Sequence, residues 1–245
     1  MKLAAVAALF VLVVAGCSGE TRSLVSVQDP STRLEARPGA GGGGGRCTPG
    51  THTLVGGDRK ALMRVTPAAQ NGRRTLLLAL HGAGSGGAPG GLYAFRGVWS
   101  VPGLVLVAPA AAGSAWTLGR TDVGFVDRSL RLAFARCRVR SDRVLVGGFS
   151  SGAGMALWLG LTNGDLFDAI VSLSPGGSLP ADRVGKPEVY LAHGTGDDVI
   201  PIAVGGDIVA ERLRAAGYRV RYVRFAGGHR PVPAIVRGLV RRATG

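Results

Sequence analysis

Apolar residues fall along this chain in short, dense runs. Residues 75–80 (TLLLAL), 104–107 (LVLV), 143–147 (RVLVG), 169–173 (AIVSL), 188–192 (EVYLA) and 219–225 (RVRYVRF) are rich in Val and Leu and read as β-strands. Between them, stretches near 123–136, 151–162, 206–216 and 232–242 read as helices. Apolar strands alternating with helices predict an α/β domain, a mostly parallel sheet with helices on both faces. In such a sheet the ligand crevice lies beyond the carboxyl ends of the strands, so chemistry is expected in the loops that leave those ends.

The amino terminus departs from this pattern. Lys2 precedes an unbroken apolar run from Leu3 to Ala15, followed by Gly16 and Cys17. That run is shorter than the roughly 20 residues a bilayer-spanning helix needs, and residues 1–16 read as an export signal. Val14-Ala15-Gly16-Cys17 resembles the bacterial lipobox, which makes Cys17 the expected lipidation site. Several acyl chains, each contributing about 0.8 kcal/mol per buried CH₂, would anchor the protein stably. Residues 18–46 show no periodicity and contain Pro30, Pro38 and the run Gly41–Gly45. The stretch 17–46 is therefore expected to be a lipidated, flexible tether reaching roughly 30 Å, and 47–245 a single folded domain. The expected location is the cell envelope, outside the cytoplasm, with the membrane as a partner through the anchor.

Cysteine usage and charge refine this picture. With Cys17 assigned to lipid, Cys47 and Cys137 remain as an even pair in a chain bound for an oxidising compartment, and a disulfide is expected. The formal net charge is +14. All basic residues except Lys2, Lys60 and Lys186 are arginines, scattered without interleaved aromatics or a nucleic-acid motif, so no nucleic-acid partner is expected. A bias toward Arg, Ala and Gly codons explains this composition as well as the functional reading does, which is attraction to an anionic envelope surface. The four histidines show no HxxxH or HxH spacing, so no metal is expected, and the chemistry of the motifs below needs no cofactor.

Three motifs stand at strand ends. Gly148-Phe149-Ser150-Ser151-Gly152 follows the strand 143–147 and opens the helical run 151–162. That strand–turn–helix setting is what a nucleophile elbow requires, and it nominates Ser150, with Ser151 out of place as nucleophile and its N–H as an oxyanion donor. His81-Gly82-Ala83-Gly84 follows the strand 75–80, where Ala83 N–H is the second candidate donor. Asp197 and Asp198, after His193-Gly194-Thr195-Gly196, compete for the acid. Gly227-Gly228-His229 follows the last strand and supplies His229 as general base and acid. His81 and His193 sit in His-Gly turns and read as structural. Asp122, ahead of Val123, Phe125 and Val126, reads as a helix N-cap. Trp116 could line the acyl or alcohol pocket, or equally serve as a packing residue on a loop.

The segments LLALHGAGSGG, VLVAPAAAGSAW, DVGFVDRSL, VLVGGFSSGAGMAL, VYLAHGTGDDVIP and FAGGHRP together resemble the α/β-hydrolase superfamily. Within it, they are most similar to the phospholipase/carboxylesterase group and to the poly(3-hydroxybutyrate) depolymerase and feruloyl esterase-like branch. HGTGDDVIP resembles the HGTxDxxVP stretch of such hydrolases, which makes Asp197 the acid and Asp198 its neighbour. The resemblance implies the α/β-hydrolase fold and a Ser150, Asp197 and His229 triad, with Ala83 and Ser151 as backbone donors. It also implies a serine carboxylic-ester hydrolase working through an acyl-enzyme on a small or oligomeric ester. A peptidase or amidase on the same fold, and a tethered binding lipoprotein without turnover, are the alternatives. Arg230 stands where an aromatic often follows the final histidine, and no long insertion is present to form a lid.

Overall fold

A computed structural model describes residues 32–39, 47–68 and 74–245. The expected export signal 1–16, the expected lipidation site Cys17 and the run Gly41–Gly45 lie outside them. One eight-stranded sheet organises the domain: β1 (Gly50–Gly56), β2 (Arg59–Val65), β3 (Arg74–Leu80), β4 (Leu104–Ala108), β5 (Val139–Phe149), β6 (Ala169–Leu173), β7 (Glu188–Gly194) and β8 (Val220–Phe225), in the order β1-β2-β4-β3-β5-β6-β7-β8. The six expected strands are β3 to β8, and the pairings among these six are parallel. Alternate side chains sort into two cores because successive Cβ atoms point to opposite faces. Leu76, Leu78 and Leu80 enter one core and Leu77 and Ala79 the other; Val144 and Val146 divide from Leu145 in the same way.

Among the described residues, five α-helices cover the two faces. They are α1 (Gly87–Ala94), α2 (Arg120–Arg136), α3 (Ser151–Thr162), α4 (Gly206–Ala215) and α5 (Pro233–Thr244). Helices α2, α3 and α4 supply Phe125, Leu157 and Val209 to one core; α1 and α5 supply Leu92 and Val240 to the other. The helices expected near 123–136, 151–162, 206–216 and 232–242 are α2 to α5. Burial of these strands and helices on both faces, at about 25 cal/mol per Å² of apolar surface, is the main stabilising contribution. Among the described residues, no helix is long and apolar enough to cross a membrane.

Two elements differ from expectation. The antiparallel hairpin β1–β2 extends the sheet, with β2 pairing antiparallel to β4 from Leu62–Ala108 to Val65–Val105. Only alternate residues of it are buried, with Leu54, Ala61, Met63 and Val65 separated by exposed or half-buried positions, so it lacks the dense run that marks the central strands. Helix α1 has the sequence GAPGGLYA, whose glycines disfavour helix in isolation; packing of Leu92 and Ala94 into the core holds it.

The stretch 17–46 is not tether throughout. Residues 32–39 lie against the domain, with Leu34 and Ala36 each 2% exposed. Leu34 N–H donates to Asn163 Oδ1 (2.8 Å), Glu35 and Ala36 N–H donate to Asp127 Oδ1 (both 2.7 Å), and Arg33 pairs with Asp165 (2.9 Å). Leu34 and Ala36 alternate with Arg33, Glu35 and Arg37, a two-residue period short enough to pass for none. As expected, Cys47 and Cys137 are joined, across 90 positions, tying the start of the hairpin to the end of α2. Closing a loop of that length restricts the unfolded chain and stabilises the fold by about 4 to 5 kcal/mol in the chain-entropy model.

Candidate active site

The parallel strands β3, β5, β7 and β8 end on one edge of the sheet, and the loops that leave them meet there. Between β5 and α3 the chain reverses at Ser150, which adopts φ 55° and ψ −119°. A side chain held at positive φ costs about 1–3 kcal/mol and persists only where the surroundings enforce it. Here they do: a Cβ at Gly148 would run into the Gly152 backbone, and one at Gly152 into the carbonyls of Leu80 and His81. Glycine at both positions therefore lets the turn close against β3, while Ser150 N–H is fixed to Leu173 O (2.9 Å). Ser151 is the first residue of α3, so its N–H has no acceptor within the helix and points out of the N-terminus.

The loop after β3 lies beside this turn. A methyl group on Gly82 would stand 3.4 Å from Ser150 Cβ. Gly84 N–H donates to Ser114 O (2.9 Å) and Ser85 Oγ to Gly82 O (2.7 Å), which leaves Ala83 exposed at the tip. His81 is buried and structural: its Nε2 accepts from Ala111 N–H (2.9 Å), so the proton assigned to Nδ1 goes to Gly82 O (2.8 Å). Trp116 braces the same loop. Its Nε1–H donates to His81 O (2.9 Å) and its backbone N–H to Ser151 Oγ (3.1 Å), which occupies the competing hydroxyl.

The expected N-cap role of Asp122 is corrected. Gly119 occupies the N-cap of α2, and Asp122 lies fully buried in the first turn. It accepts from Ala112 N–H (2.7 Å) and Thr117 N–H (3.0 Å) and pairs with Arg59 (3.1 Å). Burial alone would raise its pKa, but the hydrogen bonds from Thr117, Ala112 and Arg59 outweigh that and hold the carboxyl below its ordinary value. Asp122 thus anchors the loop that carries Trp116.

On the far side of Ser150, the loops after β7 and β8 are tied by their backbones. Thr195 N–H donates to Phe225 O (2.8 Å) and Gly196 N–H to Gly227 O (2.9 Å). This brings Asp197 Oδ2 within 2.7 Å of His229 Nδ1. The Asp197 side chain is wholly buried, and Oδ1 accepts from Val199 N–H (3.1 Å) and Ile200 N–H (2.8 Å). Burial pushes its pKa up, yet the hydrogen bonds from Ile200, His229 and Val199 pull it lower still, so the carboxylate stays ionised. Asp198 is exposed, as expected of the neighbour. His193 is a residue whose bearing on the site is not legible as a motif. Its Nδ1 accepts from Gly206 N–H (3.1 Å), so Nε2 carries the proton, donating to Ile200 O (2.9 Å) and standing 3.1 Å from Asp197 Oδ2. The His229 ring lies 4.7 Å from that of Phe149, the residue before Ser150.

A cleft of about 850 Å³ opens beside this site. Phe149, Leu62, Leu92, Trp99 and Val232 give it apolar walls, and Trp116 is not among its lining residues. The cleft draws on β2 and α1, so the elements least visible in the sequence build it. Among the described residues, no group of three or more His, Cys, Asp or Glu side chains is placed to hold a metal ion.

Comparison with solved structures fixes the architecture. The structure of a thermostable esterase superposes with a TM-score of 0.62 at 18% identity, covering 79% of this chain and 60% of that one. The esterase PE8 gives 0.57 at 25% identity, covering 74% and 97%. The chain folds as an α/β-hydrolase. The model of the phospholipase/carboxylesterase family matches residues 124–239 of the chain, a stretch that contains Ser150, Asp197 and His229. Acyl-protein thioesterase 1 of Neurospora crassa is 34% identical over 101 residues, and that of Gibberella zeae 33% over 102. These matches cover 37% and 38% of this chain, which spans 41% and 43% of the length of those relatives.

Proposed function

We propose that this α/β-hydrolase is a serine carboxylic-ester hydrolase in which Ser150 is the nucleophile, His229 the base and Asp197 its orienting acid. The observation that carries the reading is the 2.7 Å hydrogen bond from His229 Nδ1–H to a buried, ionised Asp197, beside a serine held at φ 55°. A proton on Nδ1 leaves Nε2 with a lone pair, the state a general base needs. Ser150 Oγ attacks the ester carbonyl carbon while its proton passes to His229 Nε2. The Ala83 and Ser151 N–H groups receive the developing oxyanion, an interaction worth 10²–10³ in rate per donor. Collapse breaks the ester C–O bond, His229 protonates the departing alcohol, and water then hydrolyses the acyl-enzyme with His229 again as base. A thioester carbonyl would follow the same course with a thiol leaving.

Wild-type protein is expected to hydrolyse p-nitrophenyl butyrate and to be labelled by a fluorophosphonate. Matched ester and peptide panels separate esterase from peptidase or amidase; absence of both turnover and labelling would make this a binding protein. Cys17 belongs to the same proposal as the lipid attachment site in the envelope. In a bacterial host the full chain is expected to partition into the detergent phase of Triton X-114 extracts, and Cys17→Ala to move it to the aqueous phase. Unchanged partitioning of the variant would remove the anchor from the reading.

A further inference from the structure

Three arginines line the cleft beside the candidate site, and each comes from a different part of the chain. Arg64 belongs to β2, Arg96 follows α1, and Arg230 follows His229. Among the described residues, no carboxylate shares the lining and none of the three arginines forms an ion pair. Other arginines of the domain are so paired, Arg59 with Asp122 and Arg131 with Asp127 among them. Among the described residues, Arg64 donates only to the Thr51 hydroxyl (3.0 Å) and stacks on Trp99 at 4.4 Å; Arg96 donates to Tyr93 O (3.2 Å) and lies over that ring at 4.0 Å. Aromatic faces and neutral acceptors hold these guanidinium groups in place while leaving their charge uncompensated.

The stacked pair carries a second signal. Arg64 Nε and Trp99 Nε1 are both buried N–H donors with no acceptor among the described residues. An unmatched buried donor is destabilising, and two of them in one stacked pair on a cleft wall mark a place that an acceptor from outside the chain would relieve. The remaining wall, Leu62, Leu92 and Val232, accepts hydrocarbon. Phe149 and Pro231, the neighbours of Ser150 and of the His229–Arg230 pair, connect this wall to the site.

We propose that the cleft selects esters that carry a carboxylate at the far end of an apolar chain, with the chain on Leu62, Leu92 and Val232 and the carboxylate taken up by Arg64, Arg96 and Arg230. This rests on the ester-hydrolase reading of Ser150 and names its substrate class. A guanidinium fork bonds a carboxylate at two points, and a desolvated charge pair discriminates against a neutral chain that leaves the fork empty. The carboxylate can belong to the acyl or to the alcohol portion, so both are probed.

The test compares kcat/KM for mono-p-nitrophenyl adipate with that for p-nitrophenyl hexanoate, and for 4-acetoxybenzoate with that for phenyl acetate. In at least one pair the anionic ester is expected to be favoured about tenfold or more at low salt, with the ratio shrinking toward 0.5 M NaCl as screening sets in. Arg64→Gln is expected to reduce that ratio about tenfold and Arg64→Lys less. Arg230→Gln, at an exposed loop position, repeats the test should Arg64→Gln fold poorly. Ratios at or below one in both pairs, or ratios unmoved by Arg64→Gln and Arg230→Gln, overturn the proposal while leaving the esterase reading intact. If no ester is cleaved, the esterase reading fails separately. Calorimetric titration of the Ser150→Ala protein with the same pairs then decides the cleft: tighter binding of the anionic member sustains it, equal binding overturns it.

Discussion

Replacing Ser150 by alanine is expected to lower kcat for short p-nitrophenyl esters by about 10⁴- to 10⁶-fold and to abolish fluorophosphonate labelling. The magnitude follows from the role: without Oγ no acyl-enzyme forms, and the remaining oxyanion donors and cleft can assist only a direct attack by water. The fold should tolerate the change. Ser150 is held through its backbone, with N–H to Leu173 O and its carbonyl accepting from Ala153 N–H (both 2.9 Å), and alanine keeps both bonds. A melting temperature near that of the wild type, together with lost turnover, is therefore expected. Labelling that persists in the variant would move the nucleophile elsewhere, and Ser151 would be the first place to look; its hydroxyl, however, already accepts the Trp116 N–H.

The parts of this molecule that are legible in the sequence share a physical cause. Strands β3 to β8 are buried on both faces, so each writes a dense run such as LLLAL or LVLV that admits few other readings. The candidates Ser150, Asp197 and His229 stand out in the sequence for a related reason: the chain around them needs glycine where backbones close on each other, as the clashes at Gly148, Gly152 and Gly194 make plain. The hairpin and residues 32–39 bury only alternate side chains, and α1 is helical against its own propensity. Their conformations are dictated by what they pack on, which no local window contains. The cleft inherits that obscurity, since Leu62 and Arg64 lie on the hairpin and Leu92 on α1. The part of His193 in positioning Asp197 was hidden in the same way, because a His-Gly turn discloses where the chain bends but not which carboxylate the ring will face.

The proposed acid is where packing and chemistry are most tightly joined, and Asp197→Asn is expected to lower kcat by about 10³- to 10⁴-fold. The side chain is fully buried among N–H donors: Val199 and Ile200 at Oδ1, His229 Nδ1 and His193 Nε2 at Oδ2. An asparagine would keep its carbonyl oxygen toward Val199 and Ile200 and turn its NH₂ toward the two histidines. The NH₂ can then only donate to His229 Nδ1, which forces the ring proton onto Nε2 and removes the lone pair that should accept from Ser150. It also faces the Nε2–H of His193 donor to donor, a mismatch the wild-type carboxylate does not have. Stability should respond to pH accordingly. Because the folded carboxyl titrates below its ordinary value, it stabilises the native state above roughly pH 4, and that contribution fades as pH falls through the depressed folded value. The gap in melting temperature between wild type and Asp197→Asn should therefore be widest near neutrality and narrow below roughly pH 4. A variant with near-normal kcat would remove Asp197 from the acid role, and a gap that widened under acid would mean that the carboxylate is not what the buried N–H donors stabilise.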